Sequence, residues 1–125
     1  MSAGFEPRAI LPVLRVTDMD RSIGFYAGLL GFQVVWRTAN DGGGENALLA
    51  WKLVELMLST GSHLGDTPAL TGTLYFNGTG VAALFERVRP HATVVWPLAE
   101  MAYGTREFGV RDPDGYTLAF AEQLP

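Results

Sequence analysis

The sequence contains no cysteine and few charged residues. With no thiol among its 125 residues, the chain cannot form disulfides, use a thiolate nucleophile or build a zinc site from sulfur ligands. No apolar run approaches the roughly 20 residues that a membrane-spanning helix needs. The N-terminal MSAGFEPRAILP also lacks an apolar core of signal-peptide length. We therefore expect a cytoplasmic protein with no membrane partner.

Basic residues are outnumbered by acidic ones, nine against thirteen, which gives a net charge of −4. This field repels a phosphate backbone, so nucleic acid is not an expected partner. A cationic ligand would fit the charge, but so would an acidic surface that only keeps the protein in solution. Apolar residues make up 48% of the chain, enough for one compact domain over residues 1–125.

The first half of the sequence predicts the element order β-α-β-β-β. An apolar run over 10–16 indicates a strand, and Thr17 and Asp18 supply capping oxygens for a helix that ends at Gly31. Three further strands are predicted in FQVVWRT, over 47–51 and over 53–59. The turn-forming residues of GSHLGDTP then indicate a linker over about 61–69.

The second half repeats this order. TGTLYFN indicates a strand, VAALFERVRP a helix that proline ends, and ATVVWP another strand. The last two strands form a hairpin around Asp112-Pro113-Asp114-Gly115, whose residue types suit a tight turn with a bulge. The sequence thus predicts an α+β fold of two βαβββ modules, at about 8–60 and 70–123.

Two long segments carry a resemblance to a known family. PVLRVTDMDRSIGFYAGLLGF near the start and YGTREFGVRDPDGYTLAFAE near the end occur in the order and at the separation seen in the vicinal oxygen chelate superfamily. Within it the chain is most similar to the glyoxalase/bleomycin resistance group. The resemblance implies that the two modules form a curved mixed sheet, that the chain is a homodimer, and that modules can exchange between chains.

The resemblance also implies where a metal would bind in metal-dependent members. Their four ligand positions correspond to Leu11, Glu55, Thr73 and Ala119, of which only Glu55 can bind a metal. One carboxylate is too few donors for a transition metal. The histidines at positions 63 and 91 match none of these positions. We therefore expect no metal and no cofactor.

A small-molecule site is expected in place of the metal. Strand alternation puts the four positions on the face of a mostly apolar trough. Aromatic faces offer stacking surfaces for a flat or cationic ligand, although a single aromatic ring is more often part of a core. The predicted ligand-binding residues are Arg15, Trp51, Glu55, Met57, Tyr75, Trp96, Tyr103 and Arg106.

Two of these residues allow a second interpretation. Glu55 could hold a cationic ligand or act as a base, or it could form an ion pair with Arg15 across the trough. Arg106 could contact a ligand at the rim of the trough, or it could form a salt bridge that fixes its own loop.

The favoured function is sequestration of an antibiotic or metabolite without chemical change. The alternative from another class is a lyase or isomerase of the vicinal oxygen chelate type, with Glu55 as the catalytic base and Arg15 as the stabiliser of an anion. A third possibility is a module that only contacts other proteins.

Overall fold

The computed structural model describes residues 4–125, and the elements occur in the predicted order. Module one contains β1 (Val13–Arg15), α1 (Met19–Ile23), a π-helical turn pair (Gly24–Leu30), β2 (Gln33–Ala39), β3 (Glu45–Trp51) and β4 (Val54–Ser59). Module two contains β5 (Thr73–Asn77), α2 (Val81–Val88), β6 (Thr93–Glu100), β7 (Thr105–Arg111) and β8 (Thr117–Gln123). The linker carries one 3₁₀ turn, Ser62–Leu64.

The expected α+β fold of two βαβββ modules is confirmed. Each module forms a four-stranded mixed sheet, in the order β1-β4-β3-β2 for module one and β5-β8-β7-β6 for module two. In both sheets the first strand of the module is parallel to the last, and the other pairs are antiparallel. The internal duplication inferred from element order is therefore a duplication of topology.

The first helix begins where the sequence predicts and then changes its winding. Asp18 caps it, because its Oδ1 accepts a hydrogen bond of 3.0 Å from the Arg21 N–H. From Gly24 onward the winding is π-helical, and the Gly31 N–H donates to the Tyr26 carbonyl five residues back. Gly31 ends this segment with a φ of +142°, a conformation that favours glycine.

A single apolar core joins the two modules. Leu49, Leu56 and Leu58 of module one are fully buried, as are Phe108 and Leu118 of module two. Aromatic rings meet across the boundary as well: the centroids of Phe32 and Phe76 are 6.1 Å apart, and those of Trp51 and Phe120 are 6.5 Å apart. One face of each sheet is thereby committed to the core, and the opposite face is left to form a site.

Candidate functional site

A cavity of about 400 Å³ lies where the two modules meet. Its walls come from the segment before β1, from the start of β4 and from β5, so its position depends on both modules. Most of the lining is apolar, with polar groups from Glu55, Thr73 and Tyr75. The lining residues are Ala9, Ile10, Leu11, Pro12, Leu53, Val54, Glu55, Leu56, Thr73, Leu74, Tyr75 and Phe76.

Three of the four positions implied for a metal, Leu11, Glu55 and Thr73, line this one cavity. The fourth, Ala119, is fully buried in β8 beside Tyr75 of β5. A leucine, a threonine and an alanine beside one carboxylate do not suit a transition metal. Among residues 4–125, no three histidine or acidic side chains come together as a metal site would require.

The trough of module two is a row of four residues, one from each strand. The strand register aligns Tyr75, Ala119, Gly109 and Trp96 on the sheet face that lies away from the core. Trp96 reaches this row because a bulge between Val94 and Trp96 places it opposite Gly109. Two small residues thus separate two aromatic residues, and together the four form the floor of the trough.

Gly109 is what allows the Trp96 ring to lie on the sheet. A Cβ at position 109 would stand 2.6 Å from three carbons of the indole ring, far inside van der Waals contact. The ring therefore occupies the space that any side chain at position 109 would need. The indole Nε1 of Trp96 is buried and has no hydrogen-bond partner in the described part of the chain.

A buried carboxylate lies next to this row. Glu107 is 1% exposed, and its Oε1 accepts hydrogen bonds from the Tyr103 hydroxyl at 2.7 Å and from the Thr105 hydroxyl at 2.8 Å. Its Oε2 accepts from the Tyr75 hydroxyl at 2.9 Å. We call Glu107, Tyr75, Tyr103 and Thr105 the hydroxyl cluster; Tyr75 belongs both to it and to the cavity.

The hydroxyl cluster keeps Glu107 ionised. Burial alone would raise the pKa of this carboxyl, but hydrogen bonds from Tyr103, Thr105 and Tyr75 hold it below its ordinary value. The same contacts raise the pKa of Tyr75, through the Tyr103 hydroxyl first and Glu107 second. Tyr75 therefore stays protonated, and the cluster carries one negative charge.

The structure brings together four of the eight predicted ligand-binding residues. Glu55 and Tyr75 line the cavity. Tyr75 and Tyr103 bind Glu107, and Trp96 lies beside that carboxylate. The cavity and the hydroxyl cluster, joined through Tyr75, form the candidate site.

The other four predicted residues lie elsewhere. The Arg15 Nε donates to the Gly65 carbonyl at 3.0 Å, and an ion pair between Arg15 and Glu55 is not formed within the described residues. Met57 is half-buried in β4 opposite Val13. Trp51 contacts Gly31 and lines a different cavity of about 370 Å³, beside Arg87.

Arg106 forms a salt bridge with Glu100 at 3.3 Å, so the internal ion pair that the sequence left open is present. Strand alternation puts Arg106 on the face opposite Glu107. Glu107 and Thr105 are the residues of the hydroxyl cluster that the sequence analysis did not select. The register of the hairpin contained the signal, since it pairs Glu107 with Ala121 and Gly109 with Ala119 on one face.

No helix in the described part of the chain is long and apolar enough to cross a membrane.

The candidate site has the usual composition of a small-molecule site, since apolar walls surround a few polar groups in the cavity. Glu55 and Glu107 supply negative charge, while the tyrosine hydroxyls supply hydrogen-bonding groups.

Comparison with known proteins identifies the family. The chain is 31% identical to the bleomycin resistance protein of Geobacillus stearothermophilus, over 91% of this chain and 96% of that protein. A protein of unknown function from Agrobacterium tumefaciens has a similar structure, with a TM-score of 0.74 and 26% identity over 98% of each chain. TnmS3, an antibiotic binding protein from Streptomyces sp. CB03234, shares the fold at 19% identity, with a TM-score of 0.76 over 94% of this chain and 97% of that one.

The sequence pattern of one family spans nearly the whole chain, residues 9–120. This match covers both modules, the cavity and the hydroxyl cluster. The chain belongs to the Glyoxalase/Bleomycin resistance protein/Dioxygenase superfamily.

Proposed function

We propose that this chain binds a small, largely apolar or aromatic molecule and sequesters an antibiotic or metabolite without a metal. The observation that carries this proposal is the cavity of about 400 Å³ with Glu55, Thr73 and Tyr75 among apolar walls. Its volume falls in the range of small-molecule sites, roughly 300–1,000 Å³. The similarity to a bleomycin resistance protein supports an antibiotic as the first ligand to test.

The donor set supports binding over metal-assisted chemistry. In the cavity, the side chains at positions 11 and 73 belong to leucine and threonine, so three protein ligands for a transition metal are not available there. The lyase or isomerase alternative has less support than binding. Glu55 is exposed, and Arg15 uses its guanidinium to hold the Gly65 carbonyl and the Val16 carbonyl, leaving it poorly placed to stabilise an anion beside Glu55.

We also propose that the active form is a cytoplasmic homodimer. Apolar side chains on the open faces of the sheets remain partly exposed, among them Val13 at 38%, Trp36 at 39% and Tyr75 at 47%. A second copy would cover such surface and complete the walls of the trough. Light scattering during size-exclusion chromatography would test this, since a monomer at working concentrations would contradict the dimer.

The experiment for ligand binding is isothermal titration with bleomycin, run beside a thermal-shift assay. Thr73→Trp would fill the cavity from β5. Thr93→Trp is the matched control, because Thr93 is also exposed at the start of a strand but does not line the cavity. We expect saturable binding to the wild type and to Thr93→Trp, and its loss in Thr73→Trp. Equal binding by all three proteins would place the ligand elsewhere.

A panel of other antibiotics that contain planar groups would follow if bleomycin does not bind. Failure of the whole panel to bind or stabilise the wild type would contradict sequestration and favour a module that only contacts proteins. Turnover of any panel member that is lost in Glu55→Gln, with binding retained, would favour the enzymatic alternative.

A further inference from the structure

The hydroxyl cluster directs all of its hydroxyl protons inward. An ionised carboxylate only accepts hydrogen bonds, so Tyr75, Tyr103 and Thr105 must each donate the single O–H they have to Glu107. Their remaining hydrogen-bonding capacity consists of oxygen lone pairs. A ligand that reaches the cluster therefore meets acceptors and a net negative charge.

Two of the side chains in the cluster are within reach of a ligand. The tyrosines that shield the buried carboxylate are well exposed, Tyr75 at 47% and Tyr103 at 65%, whereas Glu107 is 1% exposed. The charge thus lies behind a rim of two phenol oxygens. It acts on a ligand at short range and through little water, where electrostatic attraction is stronger than at an open surface.

Within residues 4–125, no cationic side chain forms an ion pair with this carboxylate. Of the arginines in β7, Arg106 pairs with Glu100, and Arg111 donates to the Gly115 carbonyl and the Thr117 hydroxyl. Within residues 4–125, the hydrogen-bond partners of Glu107 are hydroxyl groups, and no ion pair to it is formed. The cluster therefore has an uncompensated charge that a bound cation would match.

The surface beside the cluster is flat and aromatic. Trp96 lies on Gly109 in the same row as Tyr75. A planar group stacks well on such a surface. The shape of the floor and the polarity of the rim thus favour the same ligand, a flat molecule with a donor-bearing cation at one end.

We propose that the hydroxyl cluster determines ligand specificity by selecting a cation that carries N–H donors, such as a protonated amine, an amidinium or a guanidinium, attached to a planar group. This inference rests on the proposed binding function and names the chemical class of its ligand. It excludes anions, and it separates N–H cations from quaternary ammonium ions, which have charge but no donor. Cation–π attraction alone would not make that second distinction.

The test uses small probes of one size and different polarity. Benzamidinium has a planar ring and N–H donors on a cation, benzyltrimethylammonium has the charge without donors, benzamide has donors without charge, and benzoate has the opposite charge. Binding to the full chain is followed by two-dimensional NMR of the tyrosine and tryptophan resonances. We expect benzamidinium to bind about tenfold or more tightly than the other three, since it alone makes charged hydrogen bonds.

Two variants locate the effect. Glu107→Gln removes the charge, and Glu100→Gln is its matched control, with the same chemical change on a neighbouring strand in the ion pair with Arg106. Tyr75→Phe combined with Tyr103→Phe leaves the Glu107 side chain in place but removes the outward oxygens and two of its three hydroxyl donors, which guards against a folding defect specific to position 107. We expect a loss of about tenfold or more in benzamidinium affinity for the first and third proteins and no change for Glu100→Gln.

Equal affinity for benzamidinium and benzyltrimethylammonium, or equal losses in Glu107→Gln and Glu100→Gln, would overturn the proposal. Failure of this proposal can be distinguished from failure of the proposed binding function. If bleomycin or another panel antibiotic binds the cavity and benzamidinium shows no preference, sequestration stands and the cluster is not its specificity determinant. If no antibiotic binds, the probe titrations still report on the cluster independently.

Discussion

The Tyr26 hydroxyl donates a hydrogen bond of 2.7 Å to the Asp112 carboxylate, and both groups are buried. Tyr26 belongs to the first helix of module one, and Asp112 opens the turn of the last hairpin in module two. Asp114 of the same turn lies at the start of α1, where its Oδ1 accepts a hydrogen bond of 2.8 Å from the Thr17 hydroxyl. The DPDG turn therefore sets the register of its own hairpin and also links module two to module one through hydrogen bonds.

Tyr26→Phe tests this connection. The change removes the hydroxyl and leaves a buried carboxylate oxygen of Asp112 without its partner, at a cost of about 1–3 kcal/mol in the free energy of unfolding. Denaturant unfolding would measure the loss. Thr38→Val is a suitable control because it removes an exposed hydroxyl whose hydrogen bond, to the Ala39 carbonyl, is 3.5 Å long. Equal stability of Tyr26→Phe and the wild type would mean that the apolar core alone holds the modules together.

The stability contributed by Glu107 should depend on pH. Its pKa in the folded protein lies below the ordinary value of 4.5, so the folded state binds this proton less readily than the unfolded chain. The stabilisation is therefore complete above about pH 4.5 and is lost as the pH falls through the lower folded value.

Comparison with Glu107→Gln isolates this contribution. Burial raises the pKa of Asp112, which acts in the opposite direction, but that effect is common to both proteins and cancels in the difference. We expect the advantage of the wild type in free energy of unfolding to shrink between about pH 5 and pH 3. A constant difference over this range would show that Glu107 is not held by its three hydroxyl partners.

Gly109→Ala should disturb the floor of the trough. The new methyl group would stand 2.6 Å from the Trp96 ring, so the indole must move or the strands must separate. We expect a destabilisation of about 1–3 kcal/mol, typical of overpacking, and a shift of the Trp96 indole N–H resonance. An unchanged resonance and unchanged stability would mean that the ring does not lie on Gly109.

Gly28→Ala should act in the other direction. Nothing lies within 4 Å of a Cβ at this position, and the residue is exposed in the π-helical part of the first helix. Alanine restricts the unfolded chain and favours helix, so we expect a gain of up to about 1 kcal/mol. Thermal unfolding would measure it. A loss would indicate that the glycine is needed for the π-helical winding.

The sequence was sufficient to predict the fold because the signals for it are local and repeated. Asp18 and Gly31 bound the first helix as predicted, and the DPDG turn forms the expected hairpin. The π-helical winding after Gly24 was not predicted, since glycine weakens an α-helix without specifying what replaces it. Element order and the family resemblance were sufficient to predict the topology.

The site was harder to predict, because membership of a face depends on register and bulges. Strand alternation alone predicts that Glu55 and Tyr75 face the trough, and both line the cavity. A bulge in β6 brings Trp96 into the trough. The sequence contains no signal that predicts this bulge. An ion pair between Arg15 and Glu55 is one of two interpretations that the sequence allows, but in the structure the Arg15 guanidinium donates to the backbone carbonyls of Val16 and Gly65, contacts that side-chain alternation does not specify.

Metal dependence of ligand binding tests the central claim most directly. The purified chain would be assayed for metal, treated with a chelator, dialysed, and titrated with bleomycin by calorimetry beside the untreated protein. We predict no stoichiometric metal and the same Kd before and after chelation, because Leu11, Thr73 and Ala119 stand at three of the four ligand positions that the family resemblance implies. A stoichiometric metal whose removal abolishes binding would contradict the account.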